Sequence, residues 1–162
     1  MKSTFNNSYD KKLRATEELS AETDLAKEIL ENISTIAIVG LSRSFHKDSQ
    51  FIGRYLQNAG YTIVPVNPGA DSILGEKAYP DLPSIPFKID AVDVFLPKKL
   101  IPKAVDQAIE IEPRGIWLQL GTGKNPDEKR KADQAGIPLF ENRCIKVDHQ
   151  FLIRPKKENK NQ

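Results

Sequence analysis

The chain has 162 residues, 39% hydrophobic and 28% charged, which fits one globular domain rather than a disordered or membrane-spanning chain. Lys and Arg total 24 against 22 Asp and Glu, and the net +2 gives no general electrostatic case for nucleic acid. One Cys and two His exclude a disulfide framework and a Cys-rich zinc site.

The first ten residues hold no apolar run, so neither a secretion signal nor a membrane span is expected, and the expected location is the cytoplasm. Residues 1–20 read as a flexible extension before the domain. A helical stripe of Leu25, Ile29, Leu30 and Ile33 follows the acidic start Glu22-Thr23-Asp24. Residues 35–40 (TIAIVG) read as a buried strand. Residues 49–59 read as a helix with Phe51, Ile52, Tyr55 and Leu56 on one face and Gly60 as its stop. Strands are expected at 61–66, 91–96, 115–120 and 137–140. Helices are expected at 100–111, where Pro102 is tolerable in the first turn, and at 126–135, closed by Gly136. The last eight residues, 155–162, are Lys-rich without an apolar anchor and are expected to fray.

Strands alternating with helices imply right-handed crossovers and a parallel sheet. The near-continuous apolar runs fit strands covered on both faces. The expected fold is therefore a single doubly wound, Rossmann-like α/β domain of about five parallel strands, whose ligands bind at the carboxyl ends of the strands.

Four loops at such strand ends carry candidate chemistry. The first runs from Gly40 through Leu41, Ser42, Arg43, Ser44, Phe45, His46 and Lys47 to Ser49 at a helix N-terminus, a ready anion site. The competing reading is an ordinary strand–helix loop with Ser49 as N-cap. The G-x-G-x-x-G dinucleotide pattern is absent, because Ser42 and Phe45 occupy the later glycine positions. The acidic residue expected after the second strand is replaced by Val66-Asn67-Pro68. Both departures count against a nicotinamide dehydrogenase. Phe95, Leu96 and Pro97 end the third strand and offer a wall for an aromatic base. Gln119, inside the apolar run that ends in Gly121, needs a hydrogen-bond partner. Cys144 lies between Arg143 and Lys146, which favour the thiolate, but neither a His nor an acid is placed by sequence to activate it. His46 is read as a phosphate contact or a surface residue, and His149 as structural or exposed.

These pieces resemble the bacterial CoA-binding domain proteins and, more distantly, the CoA-binding domain of the succinyl-CoA synthetase α subunit. The resemblance rests on IAIVGLS at 36–42, Lys47 with Ser49, YTIVPVNPG at 61–69, ILGEKAYPDLPSIP at 73–86, DAVDVFLP at 90–97, GIWLQLG at 115–121 and NRCIKVDH at 142–149. It implies a Rossmann-like domain over residues 21–154 that binds coenzyme A or an acyl-CoA. Carried over by position, Gly40, Leu41, Ser42, Arg43 and Ser44, with Lys47 and Ser49, would hold the pyrophosphate. Val66, Asn67 and Pro68 would line the nucleotide, and Phe95, Leu96 and Pro97 would meet the adenine. Leu118, Gln119, Leu120 and Gly121 would follow the pantetheine, with Asn142, Arg143, Cys144 and Ile145 nearby. In the ligase relative a Glu follows the fourth strand and another domain supplies a phosphorylated His. Leu120 takes the corresponding place here, so this chain alone is not expected to run that chemistry. Asn142 stands where the family pattern usually has Asp. The reading is a CoA-binding module without catalytic apparatus of its own and without a metal site. The alternatives are an NAD(P)-binding regulator or a CoA-handling subunit of an acyl-CoA enzyme. A partner protein or a homo-oligomer is compatible with all three; a membrane or nucleic-acid partner is not expected.

Overall fold

The computed structural model describes residues 5–153; the Lys-rich tail lies outside them. Its elements alternate as the apolar runs require. Helix α1 (Phe5–Asn32) leads into β1 (Thr35–Val39), α2 (Asp48–Asn58) and β2 (Thr62–Val66). A small hairpin, β3 (Ser72–Ile73) and β4 (Glu76–Lys77), precedes β5 (Ala91–Val94). One 3-10 turn then enters α3 (Ile101–Glu110), followed by β6 (Gly115–Leu118), α4 (Pro126–Gln134), β7 (Leu139–Phe140) and α5 (Ile145–Leu152).

Five strands form one sheet in the order β2-β1-β5-β6-β7, with every pairing parallel. Alternate residues of each strand feed two separate cores, as the two-residue strand period dictates. Ile36, Ile38 and Trp117 pack with Ala26, Leu30, Ile52, Leu56 and Ile145 from α1, α2 and α5. Ala37, Val39, Val92, Val94 and Ile116 pack with Ile101, Val105 and Ala132 from α3 and α4. Helices thus cover both faces, and the fold is doubly wound. The chain reverses direction across the sheet after β2, which opens the switch point between the carboxyl ends of β1 and β5.

Two local expectations change, and two elements are added to those expected. Residues 5–20 are the first half of a continuous helix, and every residue from 8 to 20 is exposed along it. Good helix formers such as Lys, Leu, Arg, Ala and Glu extend the helix by propensity well before its buried stripe begins at Ala26. Phe51 is 53% exposed, because α2 buries Ser49, Gln50, Ile52, Gly53 and Leu56 instead. A Cβ at Gly53 would sit 2.9 Å from Leu74 Cδ1, so the glycine lets the β3–β4 hairpin press on the helix. The hairpin itself turns through Leu74 and Gly75, both at positive φ, a geometry that the sequence Leu-Gly signals poorly. Helix α5 is not among the elements expected from the sequence; it buries Ile145 together with two polar residues, Asp148 and His149.

Candidate functional site

At the switch point, Gly40 follows β1 with φ +83°. Its N–H donates to Val66 O (3.0 Å), and Phe95 N–H donates to Val39 O (2.8 Å). A Cβ on Gly40 would stand 2.2 Å from Phe95 O. Only glycine lets the β1–α2 loop lie this close to the end of β5.

The loop beyond Gly40 is held from within. Ser42 N–H donates to Ser49 Oγ (3.0 Å), and Ser44 N–H donates to Ser42 Oγ (3.0 Å). Gln50 Nε2 donates to Arg43 O (2.9 Å), and Asn67 Nδ2 donates to Leu41 O (3.0 Å). Lys47 is the residue capping α2, in extended conformation, and the helix starts at Asp48. Ser49 is therefore not the cap; its hydroxyl ties the loop back onto the first turn. Asn67 likewise fastens the β1 loop to the end of β2.

Between this loop and the ends of β5 and β6 lies an open cleft of about 400 Å³. Nine residues singled out from the sequence line it: Gly40, Ser42, Lys47, Ser49, Phe95, Leu96, Pro97, Gln119 and Leu120. The sequence reading missed Asp48, Val94 and Thr122, which also line it. Asp48 lies in the flagged loop, and its sign works against an anion. Leu41, Val66 and Leu118 are buried in the cores, where they support the cleft. Arg43, Ser44, His46 and Pro68 are exposed; Arg54 covers Phe45, its guanidinium carbon 3.6 Å from the ring centroid.

Gln119 finds the partner that its burial demands. Its Nε2 donates to Asp93 Oδ1 (2.5 Å), and its backbone N–H donates to Val94 O (3.3 Å). Asp93 sits on β5 with no exposed surface, opposite Ile38 and Trp117 in register. Burial pushes its carboxyl up to about 8, against the opposing hydrogen bonds from Gln119 and the Val94 backbone. Asp93 Oδ2 has no partner among the described residues. An Asp inside the apolar run AVDVFL was the available signal for this group, and the sequence reading did not use it.

The 142–145 segment is structural in its side chains. Asn142, at φ +48°, accepts Gly121 N–H on Oδ1 (2.7 Å). Arg143 Nε donates to Asp148 Oδ2 (2.7 Å), which also accepts from Trp117 Nε1 (2.9 Å), and Arg143 Nη2 donates to Thr23 Oγ1 (3.2 Å). Arg143 thereby joins α1, β6 and α5 and does not line the cleft. Cys144 and Ile145 are buried. Burial raises the Cys144 thiol, the nearby Asp93 adds to that, and Lys146 and two backbone N–H groups only partly offset it. The expected activation by Arg143 and Lys146 is thus outweighed. His149 is buried, with Nδ1 2.9 Å from Tyr55 Oη. Among the described residues no group of His, Cys, Asp or Glu is arranged to hold a metal ion, and no helix is long and apolar enough to cross a membrane.

Residues 34–150 match the CoA binding domain family. The chain belongs to that family. The CoA binding domain accounts for every strand of the sheet and for the whole cleft, with α1 lying before the matched span. Among curated proteins, the chain is 36% identical over 123 residues to the uncharacterized protein YneT of Bacillus subtilis, covering 76% of this chain and 90% of that one. It is also 36% identical over 113 residues to the ADP-forming acetate–CoA ligase I of Archaeoglobus fulgidus, 69% of this chain but only 16% of the ligase. Among solved structures, a hypothetical protein from Pyrococcus horikoshii superposes with a TM-score of 0.76 at 37% identity, covering 81% of this chain and 92% of that one.

Proposed function

We propose that this CoA binding domain binds coenzyme A or an acyl-CoA in the switch-point cleft and has no catalytic apparatus of its own. The observation that carries the reading is the cleft itself, where a phosphate-sized approach to backbone is kept open by Gly40. Lys47, Ser42 and the start of α2 stand on one side of it, and Phe95, Leu96 and Pro97 on the other. An anion there gains charge-assisted hydrogen bonds and the favourable end of the helix dipole. The apolar strand ends suit an adenine ring, and Gln119 with Leu120 suits an amide-bearing chain. Val66, Asn67, Pro68, Gly121 and the 142–145 segment act by shaping this cleft rather than by touching the ligand with their side chains.

Thermal-shift titration with CoA, acetyl-CoA, NAD, NADP and ATP in parallel tests the reading. A ligand at about 100 times its Kd stabilises the fold by about 2.7 kcal/mol. A shift with CoA and none with NAD is expected. A shift with NAD alone overturns the ligand assignment. A second reading, a CoA-handling part of an acyl-CoA enzyme, draws on the similarity to the acetate–CoA ligase; it requires turnover of an acyl donor once a partner chain is added.

A further inference from the structure

The first half of α1 has no role in the cleft and no place in the core. Every residue from 8 to 20 is exposed, including Tyr9 at 70%, Leu13 at 47% and Leu19 at 60%. A bare helical segment of this length is marginal in water without a surface to pack on. After Asp10 its charges are segregated: Lys11, Lys12 and Arg14 come first, then Glu17, Glu18 and Glu22. Among the described residues none of these six is ion-paired. Beside this segment runs a groove of about 960 Å³, with Glu18 and Glu22 of α1 on one side and Lys129, Arg130 and Asp133 of α4 on the other, where Lys129 pairs with Asp133 and Arg130 with Asp127, and with Leu139 of the edge strand β7 and Glu141 between them. A smaller recess over Ala21, Leu25 and Phe140 adjoins it.

We propose that the N-terminal half of α1 is an exchange arm, which in a two-fold dimer lies antiparallel to the α1 of a second copy, in the groove beside α4. The charge order selects this occupant. Antiparallel pairing sets the Lys11–Arg14 block of each copy against the Glu17–Glu22 block of the other. A two-fold axis makes both contacts at once, because an isologous interface repeats every pair. The basic block of the incoming arm, seated beside Glu18 and Glu22, also meets Asp133 and Glu141 in the lining of the groove. Leu25 of α1 and Leu139 of β7, which line the groove and the recess beside it, supply apolar contact for the incoming helix.

The test is sedimentation equilibrium of the full chain across the micromolar range, with two triple variants. One is Lys11→Glu, Lys12→Glu and Arg14→Glu; the other is Glu17→Lys, Glu18→Lys and Glu22→Lys. Wild type is expected at twice the monomer mass, and each variant alone at monomer mass. An equimolar mixture of the two variants is expected to form a one-to-one heterodimer, since each arm then meets opposite charge again. Circular dichroism confirms that both variants are folded. Wild type at monomer mass throughout, a variant that still dimerises alone, or a mixture that stays monomeric overturns the proposal.

Discussion

Gln119 and Asp93 join neighbouring strands by one side-chain hydrogen bond, directly beneath the cleft. The bond places a titratable group where water does not reach. Asp93 is raised to about 8 by burial, while in the unfolded chain an Asp titrates near ~3.9. Below about pH 4 the acid is neutral in both states, and its contribution to stability is whole. Between about pH 4 and pH 8 the unfolded chain releases a proton that the native state keeps. Stability then falls by about 1.4 kcal/mol per pH unit on account of this group. Above about pH 8 the loss is complete. Asp93→Asn removes the titration while still offering Gln119 an acceptor. Urea unfolding at about pH 5, 6, 7 and 8 is expected to show the variant gaining on wild type with each step. A constant difference means that Asp93 is already ionised in the native state. Trp117, the only Trp and the register partner of Asp93, gives a second readout: its fluorescence is expected to titrate near pH 8 in wild type and not in Asp93→Asn.

Gly40→Ala is expected to damage fold and site together. The substitution puts a side chain at φ +83° and a Cβ 2.2 Å from a backbone oxygen, where no flexible atom can give way. A left-handed non-glycine residue alone costs about 1–2 kcal/mol, and the clash adds to it. A loss of more than about 2 kcal/mol by urea unfolding is expected, with loss of any thermal shift by CoA. A variant as stable as wild type shows that the loop is free to move away from β5.

The sheet was legible because five apolar runs punctuated by Gly and Pro leave few other arrangements, and the strand ends then named the cleft. What escaped had a physical reason in each case. The arm of α1 buries nothing, so periodicity is silent about it. Helix α5 hides two polar residues, Asp148 and His149, whose partners Trp117 and Tyr55 lie 31 and 94 residues away in sequence. Asp93 gives no local sign of its role, since its partner Gln119 lies 26 residues on. The resemblance sets Arg143 near the pantetheine, and its place beside Cys144 suggests an activating cation, whereas its guanidinium is spent on Asp148 and Thr23.

Lys47 and Asp48 are adjacent cleft residues of opposite sign, so their substitutions are expected to act in opposite directions. Lys47 is exposed, and Lys47→Ala removes a charge-assisted contact worth about 1.5–3 kcal/mol. Affinity for CoA is expected to fall about 10- to 100-fold without change in folding. Asp48→Asn removes a negative charge from the lining of the cleft and, on the proposed placement of the phosphates, is expected to tighten CoA about 2- to 5-fold, from ~0.3–1 kcal/mol, at a similar cost in helix stability. Isothermal titration at two salt concentrations measures both. An Asp48→Asn variant that binds more weakly places the phosphates elsewhere.

Cys144 is expected to be inert in the native protein. Burial raises its thiol, and Asp93 reinforces the shift, so little thiolate forms near neutral pH. Alkylation by iodoacetamide is expected to be at least about 10-fold slower in the folded chain than in urea. Incubation with CoA disulfide is expected to leave the mass unchanged. A mass gain of one CoA that is absent in Cys144→Ser reverses this reading: it means that the cleft brings the CoA thiol to Cys144 and that the loop opens far enough to expose it. The Asp93→Asn variant separates the two contributions, since removing the acid lowers the thiol only if the charge, and not burial alone, holds it up.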